Sequence, residues 1–560
     1  MKPGSRVLCL LLAVLLLALC ACGQTETTAI TTAPDSSGAL VDNRPEKQEA
    51  TATQQALTRI QSLGESPDDN YRVWYEIFVY SFCDSNGDGI GDLPGVISRL
   101  DYLQELGVNG IWLMPIHPSK SYHKYNVADY YAIDPAYGTM EDMEALLSQC
   151  EKRNIRVILD LVVNHTGDDH PWFSSAVEYL QSLPAGAEPS SADCPYWDYY
   201  HFDRQGGPGY NAVSGTQWYY ECRFSPDMPD LNWDSAALRE DIRKVLEFWL
   251  NKGVAGFRLD AAKEFYSGDQ AANVEVLSWI QQTAGQIKPD VYLVAEVWES
   301  FSLVADYYRS GILSLFNFPF ANTDGKIVKV LRGIGQSGVV STYATALEKA
   351  DTAYRASNPD YIDAPFLSNH DVGRIAGFAG RDENLIKLAG AMNLFMSGSA
   401  FVYYGEEIGM VGSGNDPSKR APMVWNAAGN DGTTAPPPEC SLPESYPFGS
   451  LEEQRCDDSS IYNYYRQAIA IRKAIPALSH GVTTAETALN TGCVSAYRKT
   501  WDSQQCIVLM NMDTQSAQVA LADYSDWTLA ASLSANGEDI ALSGTTLTLP
   551  AYATAVLLHP

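Results

Sequence analysis

Between residues 72 and 404, short apolar runs alternate with longer stretches of helical periodicity. Eight runs rich in β-branched and aromatic residues fall at 72–80, 110–115, 156–163, 255–260, 291–296, 312–317, 364–368 and 400–404. Their shortness and composition predict buried strands. Between and after them, apolar positions recur every three or four residues over 95–106, 139–153, 235–252, 270–287, 326–349, 383–397 and 458–474, with a shorter stretch near 301–310. Strand and helix alternating over this length predict an α/β fold with parallel strands closed into a (β/α)8 TIM barrel.

Two interruptions break the alternation. Residues 166–234 lie between the third strand and its helix, too long for a connector and dense in aromatics such as Trp172, Trp197 and Trp218. They predict an inserted lobe over the barrel mouth. Residues 405–457 form a second, Gly- and Pro-rich excursion after the last strand. From residue 481 to 560 the period shortens to alternating runs such as VSAYRKT and TLTLP, which predict a C-terminal antiparallel β-sandwich. The catalytic barrel with its lobe accordingly spans 71–480.

The ends and the composition refine this picture. Lys2 and Arg6 precede an apolar run from Val7 to Leu19, shorter than the ~20 residues of a membrane span. The following Leu19-Cys20-Ala21-Cys22 resembles a bacterial lipoprotein signal, which implies removal of residues 1–21 and lipidation of Cys22 at the outer face of the cell membrane. Residues 22–70, mostly Thr, Ala, Ser and Gln, predict a disordered tether. A formal charge of −30 argues against nucleic acid as a partner, whereas neutral glycans meet no such repulsion. Eight cysteines remain beyond the leader. Sequence proximity pairs Cys194 with Cys222, Cys440 with Cys456 and Cys493 with Cys506, although connectivity stays open. No Cys/His spacing fits zinc.

The candidate chemistry sits at strand ends, where barrels gather their active residues. Asp260 closes GFRLD, Glu296 closes VYLVAE and Asp371 closes FLSNHD. Cleaving a glycosidic bond needs one carboxyl to protonate the leaving oxygen and one carboxylate to meet the oxocarbenium-like centre. Arg258, two residues before Asp260 and on the same strand face, favours a charged carboxylate there. Glu296 needs the opposite setting, which Ala295, Val297 and Trp298 offer. A separate loop, Asp84-Ser-Asn86-Gly-Asp88-Gly-Ile90-Gly-Asp92, alternates oxygen side chains with glycine, offers the Ile90 carbonyl, and suits Ca²⁺.

In order along the chain, GVNGIWLMPI, DLVVNH, MPDLNW, GFRLDAAKE, the Glu296 strand and FLSNHD resemble the α-amylase family of glycoside hydrolases over residues 71–560. The resemblance implies Asp260 as nucleophile, Glu296 as general acid/base and Asp371 as the acid that orients the sugar. It further implies that Tyr125, His165 and His370 hold the sugar in the cleavage subsite, and that Lys263 contacts the leaving side. MPDLN resembles the group between oligo-1,6-glucosidases and neopullulanases, and the 84–92 loop the calcium loop of the former. Ala261 stands where α-1,6-cleaving relatives carry Val, Asn126 where the family usually has Asp, and Glu264 where many α-amylases have His. The expectation is a tethered, retaining, endo-acting α-amylase on α-1,4-linked glucans. Cyclomaltodextrinase or neopullulanase, α-glucosidase and 4-α-glucanotransferase are the enzymatic alternatives, and an inactive glycan-binding lipoprotein is the non-enzymatic one.

Overall fold

Seven of the eight apolar runs become parallel strands in the computed structural model, which describes residues 51–184 and 186–559. In chain order they are Val73–Ile77, Gly110–Leu113, Arg156–Leu161, Gly256–Leu259, Tyr292–Ala295, Ser314–Leu315 and Ala400–Tyr403. The first six pair in succession, and the last pairs with the first, Val73 opposite Ala400, which leaves one gap between Ser314–Leu315 and Ala400–Tyr403. The remaining run, 364–368, the seventh in chain order, is not a regular strand. Pro365 has no N–H to give a ladder. Its segment nevertheless fills the remaining gap: Asn317 donates to the Ala364 carbonyl at 3.0 Å, and Phe401 to the Pro365 carbonyl at 2.8 Å. The barrel is thereby closed, as the alternating pattern predicts.

Its interior is packed, not hollow. Trp74, Trp112, Ile158, Tyr292, Val294, Phe316, Phe366 and Phe401 form one inner cluster, with Trp74 stacked on Tyr292 at 5.0 Å. Glycine is required where strands meet these rings, since a Cβ on Gly110 would lie 2.3 Å from the Trp74 indole. The opposite strand faces, Phe257 and Leu259 among them, pack into the helical layer. That alternation leaves Arg258 facing inward and delivers Asp260 to the mouth.

Local signals explain the helix starts. Thr139 caps Met140–Glu151 through a reciprocal capping box with Asp142, and Ser235 caps Ala236–Asn251. The stretch 326–349 departs from the single helix predicted. It divides into Lys326–Arg332, Ser337–Val340 and Thr342–Ser357, because Gly333 ends the first and Gly335 turns at φ +78°. Likewise 95–106 splits at Arg99 into Leu93–Ser98 and Leu100–Leu106.

Part of the tether expected over 22–70 is instead ordered. Thr51–Gln61 is a helix whose Leu57 and Ile60 are buried against the helix Ile461–Ala474. Asp458 accepts the backbone N–H of Thr53 at 2.6 Å. A Leu and an Ile three residues apart suffice to dock one face, which composition alone conceals. The leader 1–21, Cys22 and tether residues up to 50 lie outside the described residues. Among the described residues no helix is long and apolar enough to cross a membrane.

The lobe carries the helix Pro171–Ser182 and a small antiparallel sheet of Phe202–Asp203, Tyr219–Glu221 and Tyr210–Ala212. After residue 481, a five-stranded and a three-stranded antiparallel sheet enclose Leu489, Ile507, Leu509, Val519, Leu547 and Leu557. None of the three expected disulfides forms, and all eight cysteines are free thiols. For Cys493 and Cys506 the reason is register. Cys506 sits opposite Lys499, six residues along the strand from Cys493. At ~3.3 Å per residue that is about 20 Å, far beyond the ~7 Å limit for a bridge.

Candidate active site

One guanidinium organises the barrel mouth. Arg258, 1% exposed, donates through one terminal nitrogen to Asp260 Oδ1 at 2.6 Å and Asp160 Oδ1 at 2.8 Å. The other terminal nitrogen donates to Glu296 Oε2 at 2.5 Å. Two carboxylates on neighbouring strand ends are thus held on one planar fork, compatible with the ~5–5.5 Å separation used in double displacement. The backbone N–H of Ala261, which sits in the left-handed region at φ 44°, gives Glu296 Oε2 a further bond at 3.2 Å. Burial raises Glu296 above its usual carboxyl range; Arg258 opposes this, while Asp260 and Asp371 reinforce it.

Across the cleft lies a second cluster. His370 Nδ1 meets Glu76 Oε1 at 2.6 Å, and its Nε2 meets the Tyr125 hydroxyl at 2.6 Å and Asp371 Oδ2 at 3.0 Å. The Tyr125 hydroxyl donates to Asp160 Oδ2 at 3.1 Å, which joins this cluster to Arg258. Arg420 closes the far side, donating to Asp371 Oδ1 at 2.8 Å, the His370 carbonyl at 3.1 Å and the Tyr122 hydroxyl at 3.0 Å. Burial would raise Asp371, but His370 and then Arg420 hold it well below the carboxylate range.

Asp260, Glu296 and Asp371 all line one cleft of about 940 Å³, with Tyr125, His165 and Lys263. Among the described residues His165 Nε2 is buried with no hydrogen-bond partner, and burial holds the ring below its ordinary pKa despite the nearby Asp260 and Tyr125 backbone. A neutral ring nitrogen in that position is available to a sugar hydroxyl. Lys263 is tied to Glu299 at 3.0 Å. Trp298 does not enclose Glu296; it is 39% exposed, stacks on Phe318 at 4.8 Å and lines the cleft as an open aromatic face. Asn126 donates to Asp227 at 2.7 Å, and Asn164 to Asp230 Oδ1 at 3.2 Å.

Several participants escaped the sequence reading. Asp160 lay within DLVVNH, and Glu76 was an acid inside an otherwise apolar strand, a signal that could have been used. Arg420, in an irregular excursion, carried none. Phe224, 53% exposed, lines the cleft near His165 and was hidden among the lobe's aromatics.

The 84–92 loop stands apart from the cleft. Asp84 Oδ1 accepts N–H bonds from Asn86 at 3.1 Å and Gly87 at 2.7 Å; Asn86 Oδ1 accepts Asp88 N–H, and Asp88 Oδ1 accepts Ile90 N–H. Asp92 instead caps a helix, accepting Gly95 N–H at 2.6 Å, and receives Ser85 through its other oxygen. Among the described residues no three His, Cys, Asp or Glu side chains converge as metal ligands do, so an ion here would lean on the Asn86 amide and Ile90 carbonyl as well.

A curled parallel barrel with acids at its C-terminal rim is the class of a barrel glycosidase. Residues 76–481 match the alpha amylase, catalytic domain family, and the chain belongs to the α-amylase family of glycoside hydrolases. It is 39% identical over 465 residues to "Alpha-amylase 3" of Dictyoglomus thermophilum, covering 82% of this chain and 87% of that protein. It is 29% identical to an oligo-1,6-glucosidase of Parageobacillus thermoglucosidasius, covering 81% and 93%. The solved structure of Eubacterium rectale Amy13B, 43% identical, superposes with a TM-score of 0.88 over 91% of this chain and 99% of that one.

Proposed function

We propose that this chain is a retaining, endo-acting α-amylase that hydrolyses α-1,4 bonds of starch and maltooligosaccharides. The single observation that carries the chemistry is the Arg258 fork, with Asp260 and Glu296 on its two nitrogens. Asp260, ion-paired and at the strand end, attacks the anomeric carbon. Glu296, whose pKa burial raises, protonates the leaving oxygen and then activates water. Asp371 is held by His370 and Arg420 and faces the sugar hydroxyls, as do Tyr125 and His165, while Lys263 serves the leaving side. The α-1,4 preference draws support from the relative named an α-amylase and from Ala261 beside the nucleophile.

The test is product analysis on maltoheptaose, starch, pullulan and cyclodextrin. The expected pattern is mixed maltooligosaccharides from starch, with the α-anomer seen first by NMR. Glucose alone, or cyclodextrin cleaved in preference to starch, points to the α-glucosidase or cyclomaltodextrinase readings. Asp260→Asn should abolish turnover yet retain glucan binding. A β-anomer, or near-wild-type activity in that variant, overturns the assignment.

Two further elements belong to this proposal. Ca²⁺ occupies the 84–92 loop through Asp84, Asn86, Asp88, Ile90 and Asp92, supported by the alternating oxygen side chains of Asp84, Asn86 and Asp88, each of which accepts a backbone N–H of the loop. The protein is anchored outside the cell through lipidated Cys22, supported by the sequence of residues 2–23. Mass analysis of the mature N-terminus finds an acylated Cys22, or the anchor is discarded.

A further inference from the structure

The unexplained group in the site is Glu76. It lies on the first strand, is 1% exposed, and is contributed to the site without facing the cleft. A buried carboxylate is costly unless paired. Its only side-chain partner among the described hydrogen bonds is His370, whose Nδ1 stands 2.6 Å from Oε1 and whose backbone N–H reaches the same oxygen at 3.4 Å.

The ring's contacts decide its protonation. Nδ1 faces a carboxylate oxygen, which can only accept. Nε2 faces Asp371 Oδ2 at 3.0 Å and the oxygen of Tyr125, whose proton goes to Asp160. Both nitrogens therefore need a hydrogen. A neutral ring would turn one lone pair toward a carboxylate. The remaining charged groups are arranged around this demand. Asp371 follows on the same segment, Asp160 lies beyond Tyr125, Arg258 beyond Asp160, and Arg420 donates to the His370 carbonyl. Trp112 closes the remaining side, its ring edge-on to the imidazole at 5.6 Å.

We propose that Glu76 is a positioning residue whose negative charge keeps His370 doubly protonated, and that this charge sets the upper pH limit of sugar binding in the cleft. Once His370 loses a proton, Nε2 can no longer donate to both Tyr125 and Asp371, and the wall that orients the sugar is lost. Two opposing effects meet at the ring. Burial disfavours its charge, but Asp371 and Glu76 outweigh that and lift His370 to about 9. Glu76 itself is raised by burial and drawn back by His370 and Arg258.

The proposal rests on the reading of Asp260 as nucleophile, and the experiment separates the two. α-Maltosyl fluoride needs no proton from Glu296 to leave, so the alkaline limb of kcat/KM on this substrate is freed from that acid. In the wild-type protein the limb should fall near pH 9. Glu76→Gln keeps the shape and the hydrogen-bond acceptor but removes the charge. It should move the limb down by about one pH unit or more, with kcat below the limb within about tenfold. Glu76→Ala should lower kcat/KM at every pH, and the glutamine should rescue that loss without restoring the limb. The His370 ring titration, followed by NMR, should shift with the limb. Coincident limbs and ring titrations in wild type and Glu76→Gln overturn the proposal. If the wild type fails to turn over the fluoride at any pH, the nucleophile reading fails, and the NMR titration still decides the role of Glu76.

Discussion

Arg420 reaches Asp371 from a segment 49 residues away, donating at 2.8 Å to the one oxygen that His370 leaves free. The arginine is 4% exposed in its side chain and the acid 32%, so the pair is half-screened at most. Arg420→Met should cut kcat/KM about 100-fold, equivalent to ~2.7 kcal/mol of transition-state stabilisation. The sign of the pH effect follows from Asp371's depressed pKa. What its charge supports is present above the ordinary Asp value and lost as pH falls, so removing Arg420 should move the acid limb upward. Arg420→Lys should recover part of the rate but not the Tyr122 contact, because one ammonium cannot reproduce the fork. Unchanged acid limbs in both variants contradict this.

Glu406 supplies a second pH-dependent element, remote from catalysis. It is buried, with Tyr465 at 3.2 Å from Oε1 and Ser368 as a further hydrogen-bonding neighbour. Burial is the main cause that lifts it to about 8. A carboxyl raised in the folded state binds more protons folded than unfolded. Its stabilisation is whole below about 4.5 and is lost as pH rises toward 8. Glu406→Gln should therefore flatten the fall in Tm across that window, and the variant should be the more stable protein at pH 8. A parallel fall in both proteins shows that Glu406 does not titrate there.

How far these features could be read from the chain depends on their physics. Asp260 and Glu296 were visible because each ends a β-rich run, and a strand end fixes both position and direction; Asp371 was visible because it closely follows such a run. Arg258 was visible because i and i+2 share a face. Arg420 was not, since nothing in an irregular segment says which turn brings a residue back over the mouth. Trp298 was misjudged for a related reason. Two residues past Glu296 the chain has left its strand, so the alternation rule no longer placed the ring. The seventh barrel segment was found by its apolar character, but Pro365 denied it a regular ladder. Residues 51–61 were misread because average composition hides a single docked face.

That docking is testable. Leu57 and Ile60, 7% and 3% exposed, hold Thr51–Gln61 on Ile461–Ala474, and Asp458 caps its first turn. Leu57→Ala should cost about 2–3 kcal/mol, the low end for a buried leucine near an edge. Asp458→Ala should cost about 1 kcal/mol through the lost cap. Both should lower Tm without altering kcat on maltoheptaose. A Tm within error of wild type for both variants means that this helix is not docked in solution.

The calcium proposal yields the last prediction. Asp84 Oδ1 and Oδ2 accept Gly87 and Gly89 N–H groups at 2.7 and 2.8 Å, so the loop is already wound around that side chain. The loop also holds its neighbour: Asp84 N–H donates to the Gly432 carbonyl, and Ala435 N–H to the Gly89 carbonyl. An ion bound there should therefore stiffen the 405–457 excursion that carries Arg420. Binding to the folded chain alone stabilises by RT ln(1 + [L]/Kd), about 2.7 kcal/mol at a hundredfold excess over Kd. Tm should climb with Ca²⁺ concentration, EDTA should reverse the gain, and Asp88→Ala should abolish the dependence while leaving Asp84's own bonds intact. Protease cleavage within 426–446 should slow when the ion is added. If the purified protein carries no calcium by elemental analysis, and neither Tm nor cleavage responds to added Ca²⁺, the loop is an acidic turn held by its own Asx hydrogen bonds.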